Sequence, residues 1–124
     1  DGWRSLVELL TLLDRCGRRL STLSGVLEYA SGYGRLTRHL APHLPGRLWV
    51  ADVMPGATDF AARCFGAHPA PAGTDPAALD FGRQFEVVFV LSLFTHLPPA
   101  RWGAWLRALN AAVAPGGLLI FSVH

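Results

Sequence analysis

G-V-L-E-Y-A-S-G-Y-G-R-L-T-R-H-L, residues Gly25 to Leu40, is the stretch whose reading decides the fold. An apolar strand (Val26, Leu27) ends at an acid, Glu28. A small-residue turn follows, Ala30-Ser31-Gly32-Tyr33-Gly34, and a helical pattern starts at once. Glycine lacks a Cβ and tolerates positive φ, so backbone there can approach a ligand closely. A helix that starts there points its first N–H groups the same way. Strand, glycine loop and helix in that order predict a site for a nucleoside-type cofactor.

Outward from that loop, strands and helices alternate. Trp3, Leu6, Val7, Leu9, Leu10 and Leu13 have helical spacing, with a stop at Cys16-Gly17. The first strand is read as 25–29, a helix as 34–40 and a second strand as 48–53. A second helix opens at Met54-Pro55-Gly56 and runs to about Phe65. The Pro/Gly-rich stretch from His68 to Asp75 holds a short third strand or a loop. The run V-V-F-V-L within 85–91 is apolar on both faces, as a strand inside a parallel sheet must be. Trp102, Trp105, Leu106, Leu109, Ala112 and Val113 read as a helix packed on the core, Ala114-Pro115-Gly116-Gly117 as its end, and 118–123 as the next strand. This alternation predicts βαβ units with right-handed crossovers: an α/β, three-layer, Rossmann-like parallel sheet with helices on both faces.

Three ordered segments resemble the class I S-adenosylmethionine (SAM) dependent methyltransferases. Val26 to Gly34 resembles the motif V-L-[DE]-x-G-x-G-x-G, with Glu28, Gly32 and Gly34 matching and Ala30 in place of the first glycine. Phe85 to Pro98 resembles the family's fourth strand and the loop after it. Trp105 to His124 resembles its next helix, P-G-G turn and fifth strand. The resemblance implies sheet order 3-2-1-4-5-7-6. This chain stops after the fifth strand, so strands 6 and 7 are read as missing. The expectation is one SAM-dependent methyltransferase core over 1–124, with 1–24 as N-terminal helix and connector and 25–124 as the cofactor-binding part. Both ends read as cut. The fifth strand is then an open apolar edge that invites pairing and destabilises the chain, so weak SAM binding or none is expected of it.

The ligand of an open α/β sheet lies beyond the carboxyl ends of the strands, where strand order reverses. The resemblance implies that Glu28 orients the methionine ammonium of SAM; capping of the loop's N–H groups is the other reading. Tyr29, Ala30, Ser31, Gly32 and Gly34 are the loop residues that would touch the cofactor. Asp52, 18 residues after Gly34, stands where an acid accepts both ribose hydroxyls, with Val53 beside it. Asp75 aligns with the acid that binds the adenine amino group, and Asp75-Pro76 reads equally as an N-cap with proline at N1. Ser92 and Leu93 follow the fourth strand, against the methionine portion or the adenine ring.

His96 and His124 stand on the reactive rim. His96 is either a general base near pH 7 or a loop residue bonded to backbone. Tyr33 covers the cofactor or packs on the first helix. His39 and His43 have metal-pair spacing, but Pro42 interrupts it and no third ligand is near, so no metal is expected.

Composition narrows the rest. The chain has 124 residues, 51% hydrophobic and 16% charged, which describes a core-forming domain. All 11 basic residues are arginine, and they are scattered rather than interleaved with aromatics, so no nucleic-acid partner is expected. Absence of an N-P-P-Y or D-P-P-Y tetrad argues against amino methylation of adenine in nucleic acid, and Ser92-Leu93-Phe94-Thr95-His96 resembles the small-molecule methyltransferases, a resemblance that implies a small-molecule acceptor. Cys16 and Cys64 read as buried, reduced thiols of a cytoplasmic protein, with no membrane segment. Two other functions remain open: a SAM-binding or interaction scaffold without activity, and an NAD-dependent oxidoreductase. Gly32 to Thr37 lacks the third glycine that the latter requires.

Overall fold

The computed structural model describes residues 2–123. Its strands are β1 (Val26–Tyr29), β2 (Leu48–Ala51), β3 (His68–Pro69), β4 (Phe85–Val90) and β5 (Val113–Phe121). Its helices are α1 (Gly2–Arg15), α2 (Thr37–Leu40), α3 (Ala57–Phe65) and α4 (Pro99–Ala111). All five strands are parallel, in the order β3-β2-β1-β4-β5. This is the expected Rossmann-like arrangement, with reversal of strand order between β1 and β4.

Successive side chains of β1 point to opposite faces. Val26 packs on one side with Leu6, Leu9 and Leu13 of α1 and Leu40 of α2. Leu27 and Tyr29 pack on the other with Trp105 and Leu109 of α4. β1 is buried on both faces, as are Val87 to Val90 of β4. Each fully buried Leu or Val contributes roughly 1.5–3 kcal/mol of apolar transfer. The α1 stop is as expected: Gly17 has φ 71°, Arg18 N–H donates to Leu13 O at 2.8 Å and Gly17 N–H to Asp14 O at 3.0 Å. This pair of bonds is a Schellman motif.

Several boundaries differ from the sequence reading. The helix expected from Gly34 starts at Thr37, because φ of 90° at Gly34 is incompatible with a helix. The helix expected from Met54 starts at Ala57, because Gly56 is left-handed. β2 ends at Ala51 rather than Val53, where Asp52 turns the chain, and β4 ends at Val90.

The Pro115-Gly116-Gly117 segment is not a turn closing α4. Val113 already pairs with Phe85, and the register slips before Leu118 pairs with Val87. A Cβ on Gly117 would lie 2.5 Å from Glu86 O, so glycine lets this bulge close on β4. Both cysteines are exposed, contrary to expectation. Cys16 follows the last turn of α1, and at the end of α3 it is Phe65 that packs inward. β5 forms an edge of the sheet, with Leu118, Leu119 and Ile120 half-buried.

Candidate functional site

Two hollows open at the carboxyl ends of the central strands, and Ala30 lines both. It follows β1 directly and holds φ of 62°, a left-handed conformation at a residue with a Cβ. Its N–H donates to Ala51 O at 2.7 Å, and Ser31 N–H donates to the same oxygen at 3.2 Å. The loop is thereby tied to the end of β2. Gly32 (φ 60°) and Gly34 (φ 90°) supply its remaining left-handed positions.

Asp52 fastens the loop from the other side. Its Oδ2 accepts from Gly32 N–H at 2.7 Å and its Oδ1 from Met54 N–H at 2.8 Å. The Gly32 N–H is therefore taken by the protein's own carboxylate. The loop-capping role considered for Glu28 belongs to Asp52. A carboxylate offers about four lone-pair sites, so Asp52 keeps acceptor capacity for a ligand.

The first hollow, about 170 Å³, is largely apolar. Tyr29, Leu93, Leu97 and Trp105 line it, with Asp52 and Val53 at its rim. Gly73 and Thr74 form the facing wall. Gly73 O accepts from the Tyr29 hydroxyl at 3.2 Å, and Arg101 Nη2 of α4 donates to Thr74 O at 3.3 Å. Burial raises the pKa of the Tyr29 phenol. The Trp105 Nε1–H is buried without a partner among the described residues.

The second hollow, about 330 Å³, is polar. Glu28, Ser31, Ser92 and Ser122 line it, with Glu8 of α1 and Arg35. Glu28 is 4% exposed, and its Oε1 accepts from Thr37 Oγ1 at 2.6 Å. Burial pushes the Glu28 carboxyl up to about 7; the Thr37 bond opposes that rise and the charge of Asp52 adds to it. The Ser31 hydroxyl is buried and unpartnered among the described residues. Ser92 is also left-handed, at φ 66°, and its N–H donates to Ser122 Oγ at 3.0 Å, joining the ends of β4 and β5.

Other residues singled out in the sequence lie elsewhere. Asp75 caps the short helical turn Pro76–Ala78 by accepting from Ala77 N–H at 3.0 Å, and lines a separate shallow hollow. Its neighbours Gly73 and Thr74, rather than Asp75, line the apolar hollow. His96 is exposed in the turn Phe94–His96 and lines neither hollow. His124 lies outside the described residues. Tyr33 packs on neither the hollows nor α1: its hydroxyl donates to Pro55 O at 2.7 Å and its ring meets Phe60 edge-on. The ring of Phe65 closes over Gly34, where a Cβ would meet it at 2.6 Å. The His39 ring meets Trp3 edge-on. Among the described residues no three His, Cys, Asp or Glu side chains are grouped to hold a metal.

Thr37, Ser122, Glu8, Thr74 and Arg101 were not singled out from the sequence. For Thr37 a signal existed, since it shares a helical face with Leu40. Trp105 was read as core, and it is, but its ring also walls the apolar hollow.

A flat apolar group in the first hollow, a hydroxyl-bearing middle at Asp52 and a cationic tail at Glu28 would together match this crevice. Residues 26–117 match the family model described as "Methyltransferase domain". The chain is similar in structure to DhpI in complex with SAH, at 34% identity over 78% of this chain and 47% of DhpI, with a TM-score of 0.63. It is also similar to the N-methyltransferase NodS from Bradyrhizobium japonicum WM9 in complex with S-adenosyl-L-homocysteine, at 28% identity over 95% and 60% of the two chains, TM-score 0.72. The glycopeptide N-methyltransferase MtfA, at 20% identity, shares the fold over 98% of this chain and 53% of its own, TM-score 0.76. The chain thus spans about half the length of these solved structures. No curated protein matches it.

Proposed function

This chain belongs to the methyltransferase-domain family, and from that premise we propose that it binds SAM across the two hollows and transfers the methyl group to a small-molecule acceptor. The observation that carries the reading is the pair of hollows joined at Ala30, one apolar with Asp52 on its rim, the other polar around the buried Glu28. Adenine suits the space between Tyr29, Trp105 and the Gly73–Thr74 wall. The free lone pairs of Asp52 suit the ribose hydroxyls. Glu28 suits the methionine ammonium, and the Arg35 guanidinium suits its carboxylate.

Bound there, SAM supplies a methyl group already made electrophilic by the sulfonium charge. The chain's own task is alignment. Ala30, Ser31, Gly32 and Gly34 shape the neck between the hollows, Val53 and Leu93 exclude water from the base, and Ser92 fixes the loop after β4. Asp75 acts in this proposal by holding the turn that presents Gly73 and Thr74.

Titration calorimetry with SAM, S-adenosylhomocysteine and NAD tests the cofactor reading. Both adenosyl ligands are expected to bind, NAD is not, and Asp52→Ala is expected to abolish the binding. Binding of NAD alone would overturn the proposal. A SAM-binding scaffold without turnover is the second reading, favoured by one observation: no histidine lines either hollow among the described residues. Turnover with any methyl acceptor separates the two. The proposal extends to a cytoplasmic location, supported by two unpaired thiols, and to association through the β5 edge, supported by its half-buried Leu118, Leu119 and Ile120.

A further inference from the structure

Thr37 is fully buried, and its hydroxyl donates to Glu28 Oε1. The 2.6 Å separation makes this a short hydrogen bond, and it is made to a carboxyl that is itself buried. Thr37 opens α2 immediately after the glycine loop. The turn that shapes the loop therefore also carries this hydroxyl beneath β1.

We infer that Thr37 is a positioning residue: its hydroxyl holds the Glu28 carboxylate ionised and fixed toward the polar hollow, so that the hollow admits a cationic tail. This rests on the cofactor reading above, in which that tail is the methionine ammonium.

The surroundings of Glu28 make such a donor necessary. Asp52, at the end of β2, disfavours a second negative charge nearby. Glu8, from α1, lines the same hollow, but it is exposed and paired with Arg4 at 3.7 Å, so water screens it. Arg35 lines the hollow as its cation, and Ser92 and Ser122 on the β4–β5 side carry no charge. Desolvation is the largest influence on Glu28, and the Thr37 hydroxyl is the influence that opposes it. Without that hydroxyl Glu28 would hold its proton to higher pH and present a neutral acid to the ammonium.

The experiment measures affinity for S-adenosylhomocysteine and for 5′-methylthioadenosine, which lacks the charged tail, between pH 6 and 9. Wild type is compared with Thr37→Val and Thr37→Ser. Thr37→Val is expected to raise the midpoint of the S-adenosylhomocysteine profile by about one pH unit, about fivefold weaker binding at pH 7, with recovery at pH 9. Its affinity for 5′-methylthioadenosine is expected to stay unchanged, and Thr37→Ser to restore the wild-type profile. Equal weakening toward both ligands at every pH, or an unmoved midpoint, overturns the inference. If wild type binds neither nucleoside, the cofactor reading has failed. The Thr37 role is then read by carboxyl-carbon NMR titration of Glu28 in the free protein, where an unchanged titration in Thr37→Val overturns it.

Discussion

Glu28 and Tyr29 are consecutive in β1, yet they open onto opposite faces of the sheet, Glu28 into the polar hollow and Tyr29 into the apolar one. The two-residue period of a strand thus separates a charged subsite from a flat apolar one within a single peptide step. Among the described residues Ala30 is the one that lines both. A ligand that fills both must be amphipathic and must bend around the end of β1.

The ionisation of Glu28 predicts how stability varies with pH. Its folded-state pKa, about 7, lies above the ordinary carboxyl value of 4.5. Between those values the folded state holds a proton that the unfolded state has released. Stability is therefore highest below the lower value and falls as pH rises through about 7. Glu28→Gln keeps an acceptor for Thr37 without the buried charge. It is expected to stabilise the chain at pH 8 by on the order of 3 kcal/mol and to flatten the slope between pH 5 and 8. Urea denaturation across that range checks both; parallel slopes for wild type and variant would contradict the buried-acid account. The same variant is expected to weaken S-adenosylhomocysteine binding at least tenfold.

Ala30 and Gly34 give opposite predictions from the same loop. Ala30 holds φ of 62°, which costs a Cβ-bearing residue roughly 1 kcal/mol. Ala30→Gly is expected to stabilise the chain by about 0.5 kcal/mol after the added freedom of the unfolded chain is counted. Gly34→Ala combines φ of 90° with a Cβ 2.6 Å from the Phe65 ring. It is expected to cost about 2 kcal/mol or more. Equilibrium denaturation of both variants decides this, and a neutral Gly34→Ala would mean that the loop is not held as described.

Asp52 bonds to two backbone N–H groups, so its removal should affect more than a ligand. Asp52→Ala is expected to lose about 1–3 kcal/mol of stability by orphaning Gly32 and Met54 N–H, less to the extent that water reaches them. Asp52→Asn keeps one acceptor but turns an amide toward one of those donors. It should recover part of the stability and little of the nucleoside affinity. Equal recovery of both would mean that Asp52 serves the loop alone.

The sheet order was legible through the resemblance of three ordered segments to the methyltransferases, and the apolar run V-V-F-V-L from Val87 to Leu91 marked β4 as a strand covered on both faces. Asp52 was legible from its distance to Gly34. The start of α2 was not, because the left-handed Gly34 excludes a helix that the pattern of Leu36 and Leu40 suggests. The start of β5 was hidden because Pro115-Gly116-Gly117 serves equally as a turn or a bulge, and pairing of Val113 with Phe85 decides between them. The Gly73–Thr74 wall has no periodicity to read. It is set by long-range bonds from Tyr29 and Arg101, which sequence spacing does not encode.

Leu93 lines the apolar hollow but is not part of the fully buried core. A larger side chain there should fill the hollow without disturbing the sheet. Leu93→Trp replaces an isobutyl group by a flat indole ring that would compete with a ligand for the 170 Å³ space. It is expected to reduce affinity for S-adenosylhomocysteine and 5′-methylthioadenosine together, by at least tenfold, because both carry the adenine ring. Leu93 is half-buried against the Tyr29–Trp105 cluster, and a stability change within about 1–2 kcal/mol is expected. Calorimetry with both ligands, beside a melting curve, checks this. Undiminished affinity in a folded Leu93→Trp chain would remove adenine from this hollow, and the assignment of the polar hollow to the methionine tail would then lose its partner.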